Sequence, residues 1–186
     1  MPPRKLFKTI VFIVLIIGGL VFNLSKIFSY EANPTHYNLA REMVELYNLT
    51  YDPDITPRQA EMILGGSIDE DTPPRWFFHL YDPIYGRAPG GVATAKTWAL
   101  DSNFQGDIVH TLANLLFSLF TDNEGGLKKH DDYSWPASIK YFTNNDIDKA
   151  YYGLGHILHL ITDMTVPAHS RNDPHPPGNT DPYEDW

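Results

Sequence analysis

Apolar and polar positions along this chain recur at helical spacing, broken by irregular connections, and nowhere settle into the alternation of a half-buried strand. The clearest stretch runs from Tyr151 to Asp173 and opens as an amphipathic helix. Upstream, NPTHYNLA reads as a helix start, with Leu39, Met43 and Leu46 apolar at helical spacing behind it. Pro57 opens a short helix, RQAEMILGG, which Gly65 and Gly66 are expected to stop. Val92 to Asp101 and Asp107 to Phe120 predict two further helices, the second strongly apolar. Another around Pro136 to Phe142 leads into Asn144-Asn145-Asp146, a cap for the helix that follows. The pattern predicts an all-α fold, a bundle of helices.

The amino terminus follows a different rule. Thr9 to Ser25 is uncharged and mostly apolar, and Arg4, Lys5 and Lys8 precede it. No small-x-small cleavage site follows, because Lys26, Ile27, Phe28 and Tyr30 occupy that region. Residues 1–30 therefore read as a signal anchor in preference to a cleaved signal peptide, and 31–186 as one domain. The basic flank stays inside, so the domain is expected on the extracytoplasmic side of a membrane, or secreted if the segment is cleaved.

Composition narrows the chemistry. The net charge is −9, and the four basic residues among the first thirty have no acid beside them, which leaves −13 for the remainder. Such acidity argues against a passive binder of phosphate backbones and fits carboxylates gathered around cations. There is no cysteine, so neither disulfides nor a thiolate metal site are available. His159 and Asp163 stand four apart, one above the other on a helix face. Pro167 ends that helix, and His169 follows from the turn. Imidazole and carboxylate donors in this arrangement suit zinc in a hydrolytic site. The acidic run Asp69-Glu70-Asp71 has the composition of a solvated loop, yet it lies ten residues before His79 and can bring a carboxylate to meet it.

Together these residues resemble the zinc-dependent phospholipase C family, which is related to the fungal zinc-dependent single-strand nucleases. The resemblance rests on His159, Asp163 and His169 at the family spacing, and on His79-Leu80-Tyr81-Asp82-Pro83 behind the acidic run. It rests also on His36 in the first helix and on the pair Tyr183-Glu184. It implies a helical bundle around a cluster of two or three zinc ions. On this resemblance Asp69, His79, His159 and Asp163 hold one ion, and Asp163 bridges to another held by His36. His169 and Glu184 hold a third. Asp69 is preferred to Asp71 as the first acid of an acid-x-acid pattern, and it is the candidate catalytic residue that orients or deprotonates water. His156 falls where the family has an apolar residue and is expected to pack.

Two departures accompany the resemblance. The family's N-terminal Trp ligand has no counterpart before Trp76, and Thr180 stands where a His ligand is expected, with Asp181 or His175 as substitutes. The chain also ends at Trp186, as the helix bearing Glu184 should begin. The implied activity is hydrolysis of a phosphodiester, with a phospholipid head group as leading substrate and a membrane as partner. A single-strand nuclease acting on nucleic acid, and a truncated, inactive metal-binding protein, are the alternatives.

Overall fold

The computed structural model describes residues 35–72, 75–88, 91–116 and 131–171. The segment expected to meet a membrane, residues 1–30, lies outside them. Among the described residues no helix is long and apolar enough to cross a membrane. The architecture there is all-α: α1 (Thr35–Thr50), α2 (Pro57–Asp69), a 3-10 turn (Arg75–Phe78), α3 (Ala95–Leu100), α4 (Ser102–Leu116), α5 (Trp135–Thr143), α6 (Ile147–Asp163) and α7 (Pro167–Arg171). One isolated antiparallel bridge, Asp82 to Arg87, closes the loop after His79.

Helix α2 opens on a capping box. The Gln59 amide donates to the Thr56 hydroxyl at 3.3 Å, and the Thr56 amide donates to the Gln59 side chain at 2.8 Å. Contrary to the sequence expectation, Gly65 and Gly66 do not end it; the helix runs on to Asp69. The reason is packing. A Cβ on Gly66 would stand 2.0 Å from the Tyr152 carbonyl oxygen, and one on Gly155 would stand 2.1 Å from the Ile63 carbonyl oxygen. The two glycines thus let α2 and α6 touch backbone to backbone. A Cβ on Gly153 would likewise meet the Ser138 hydroxyl of α5 at 2.1 Å. Gly155→Ala has no flexible side chain to push aside and must part the helices. It is expected to cost about 3 kcal/mol, the upper end for overpacking; a urea midpoint equal to that of the native chain would reject this contact.

Around that joint the core falls into three clusters. Ala40, Val44 and Ile63 pack α1 on α2, with Leu154 and Leu158 against them. Met62, Tyr133 and Tyr152 fill the space towards α5. Phe78, Ala95, Trp98, Val109 and Leu160 form the third, with Phe78 stacked on Trp98 at 4.4 Å. The buried face of α1 is His36, Ala40 and Val44, one step round from the Leu39, Met43 and Leu46 stripe; Leu46 is 65 % exposed. Small Ala40 allows the closer approach, so the burial follows the joint rather than the largest apolar residues.

Candidate metal centre

The last turns of α6 supply His159 and Asp163, both fully buried. After the helix a tight turn, with the Thr165 amide donating to the Thr162 carbonyl and the Val166 amide to the Asp163 carbonyl, leads into α7. That short helix brings His169 back, so that its Nδ1 lies 3.4 Å from Asp163 Oδ2. The Tyr81 amide donates to the His169 carbonyl at 3.0 Å and pins the segment that follows the 3-10 turn. His79, on that segment, sets Nδ1 2.9 Å from Asp163 Oδ2. His36, in the first turn of α1, is buried and stacks on His159 with ring centroids 3.7 Å apart.

Asp163 is the hub. Its Oδ2 faces His79, His159 (3.4 Å) and His169, while Oδ1 faces His36 Nε2 at 3.4 Å. The carboxylate that joins them from the acidic run is Asp71. Its Oδ1 stands 3.5 Å from His159 Nε2 and 3.7 Å from His79 Nδ1. Asp69, preferred from the resemblance, instead accepts the Tyr152 hydroxyl through Oδ2. Two residues separate the outcomes: α2 runs to Asp69, whose side chain points to Tyr152 of α6, and Asp71, two residues beyond the helix end, is the acid that reaches the cluster. Glu184, His175, Thr180 and Asp181 lie outside the described residues.

Hydrogen bonds fix which imidazole nitrogens point inward. His159 Nδ1 donates to the Ser67 carbonyl at 2.6 Å, leaving Nε2 for the cluster. The Thr162 hydroxyl donates to the His159 carbonyl at 2.8 Å, so its oxygen accepts from His36 Nδ1 at 3.0 Å. The lone pair of neutral His36 Nε2 therefore faces a carboxylate oxygen, acceptor against acceptor. Buried atoms without a hydrogen-bond partner include His159 Nε2, Asp163 Oδ1 and Asp71 Oδ2. Buried polar atoms are otherwise almost always partnered.

Charge follows the same geometry. Burial, then the imidazole of His159, lower His36 to about 3, so it stands neutral. Burial alone would also lower His79, but Asp163, with Glu70 and Asp71, pushes it up to about 10. Burial opposes ionisation of Asp163, yet His159, His169 and His79 hold it well below the usual carboxylate range. Burial pushes Asp71 up.

The donor atoms form two overlapping sets, His79, His159 and Asp163, and His36, Asp71 and His159, each within 4.8 Å. Donors about 2.0–2.1 Å from a tetrahedral zinc lie about 3.3 Å from one another. Separations between these donors of 2.9, 3.4, 3.5 and 3.7 Å bracket that edge. The nitrogen and oxygen donors present fit zinc.

The acidic run hides a residue that composition placed in solvent. Glu70 is fully buried. It accepts from Arg75 Nη1 at 3.0 Å, Trp98 Nε1 at 2.6 Å and His156 Nδ1 at 2.5 Å. His156 also stacks on Tyr133 at 4.7 Å, so it packs as expected while holding a carboxylate. Burial, then Arg75, lower His156 to about 4. Comparison with protein-family models, with curated proteins and with solved structures finds no match to this chain.

Proposed function

We propose that this chain is a zinc-dependent phosphodiester hydrolase, a phospholipase C acting on phospholipid head groups. The observation that carries the reading is the convergence of four imidazoles and two carboxylates, Asp163 and Asp71. There His159 Nε2 and Asp71 Oδ2 are buried and left without hydrogen-bond partners, a lack that a cation would make good. The motif resemblance in His36, His79, His159, Asp163 and His169 supplies the reaction class. Zinc held there would supply a Lewis acid for a phosphoryl oxygen and an activated water.

The chain's own residues do the rest. Asp163 offers Oδ2 to one group of imidazoles and Oδ1 to His36, and would serve as a ligand on both sides. Asp71, less deeply enclosed than Asp163, has an Oδ2 without a hydrogen-bond partner and takes the role of orienting water and receiving its proton. Asp69 accepts the Tyr152 hydroxyl and belongs to neither donor set, which favours Asp71 for that role. The basic flank of the apolar segment, Arg4, Lys5 and Lys8, supports a domain beside the outer face of a membrane, where phospholipid is at hand.

A single-strand nuclease is the second reading. It is favoured by Phe77, 55 % exposed and stacked on Trp76 at 3.9 Å just before His79, since aromatic faces hold unpaired bases. The test measures zinc content of the purified chain together with hydrolysis of a short-chain phosphatidylcholine and of single-stranded DNA and RNA. Faster cleavage of lipid is expected. Faster cleavage of strands replaces the lipase with the nuclease, and zinc uptake without either activity leaves an inactive metal-binding protein.

A further inference from the structure

We propose that Glu70 is the positioning residue that aims His79 at the metal, through the far nitrogen of its ring. The inference rests on the metal-site reading above. His79 presents Nδ1 to the cluster, 2.9 Å from Asp163 Oδ2, and turns Nε2 towards Glu70 Oε1 at 3.7 Å. Nε2 is buried and has no hydrogen-bond partner. When Nδ1 gives its lone pair to an ion, the single ring proton sits on Nε2 and requires an acceptor. Glu70 Oε1 is the oxygen it faces. That oxygen has one donor, Trp98 Nε1, whereas Oε2 already serves both Arg75 and His156, so Oε1 keeps a lone pair for His79.

The surroundings hold this carboxylate still. Arg75 is fully buried, donates to the Asp131 carbonyl through Nη2, and lies over the rings of Trp98 and Tyr133, 5.6 and 5.2 Å from their centroids. A guanidinium, an indole and an imidazole thus converge on one carboxylate, and the lone pair they leave unused faces a metal-site ring. Such partners behind a ligand fix its tautomer and orientation.

Glu70→Gln separates this role from mere packing. Oε2 faces the donors Arg75 and His156, so the amide oxygen settles there and the amide nitrogen turns to Trp98 Nε1 and His79, donor against donor at both. Trp98→Phe is the control, because it removes a bond to the same oxygen and leaves the acceptor for His79. Zinc affinity of the full chain is measured by competition with a chelating indicator, and the Co(II) form by its visible absorption.

The expected result is a ten- to hundredfold loss of zinc affinity in Glu70→Gln with an altered cobalt spectrum, and native affinity in Trp98→Phe. Native affinity in Glu70→Gln, or equal losses in both variants, overturns the proposal. Nitrogen-15 histidine spectra of the zinc-loaded native chain give a second readout independent of folding of any variant. Metal on Nδ1 of His79 with a proton on Nε2 supports the role, and the reverse assignment overturns it. A native chain that takes up no zinc overturns this proposal and the metal site together, whereas zinc uptake with indifferent variants overturns this one alone.

Discussion

If the proposed metal centre holds zinc, excess chelator is expected to lower the melting temperature of the chain by about 10 °C. Metal binding to a site that exists only in the folded state is folding free energy. An ion present at about a thousand times its dissociation constant contributes about 4 kcal/mol. For a domain of this size each kcal/mol moves the midpoint by about 2–4 °C. The loss stops short of unfolding because His79, pushed up to about 10 chiefly by Asp163 against its burial, carries a positive charge in the metal-free chain. It partly replaces the ion beside that carboxylate. Scanning calorimetry with and without chelator checks this, and superimposable melting curves reject the metal centre.

On the proposed hydrolase reading, Asp163→Asn is expected to abolish phosphodiester hydrolysis and to weaken zinc binding by more than about a hundredfold, since losing a hub ligand exceeds the loss of a partner behind one. The substitution keeps the shape and removes the charge that meets four imidazoles. It also puts an amide nitrogen, a donor, where an ion is to be bound. With that charge gone, His79 loses its principal counter-ion in a buried setting and reverts towards neutrality. Metal content and steady-state hydrolysis, measured on a variant with native circular dichroism, decide the matter. Full activity in this variant would remove Asp163 from the mechanism.

The parts of the site that were legible in the sequence are those set by local periodicity. His159 and Asp163 share a helix face because of their spacing alone, whereas Pro167, expected to end that helix, instead opens α7 after a turn, and His169 comes from this short helix. The choice between Asp69 and Asp71 was not legible, because it depends on where α2 stops. That end is set by contact with a helix about ninety residues away. Glu70 was read as solvated for the same reason: Trp98 and His156, which donate to it, are 28 and 86 residues distant. Arg75, five residues on, was the one nearby sign that an acid of this run is paired. The all-α class was legible because helical spacing persists throughout, whereas the buried face of α1 was not, since Gly66 and Gly155 dictate which side comes closest.

Those glycines bear on the autonomy of the parts. A glycine inside a helix costs about 1 kcal/mol relative to alanine, and α2 and α6 each carry two, Gly65 with Gly66 and Gly153 with Gly155. Short isolated helices are marginal in water even without that handicap. Each of these two helices is therefore a poor helix by itself and a good one only against its neighbour. A peptide spanning α6 and α7 would contain His159, Asp163 and His169 yet lack the scaffold that aligns them. The ligand geometry belongs to the assembled pair, not to the segment that carries the motif.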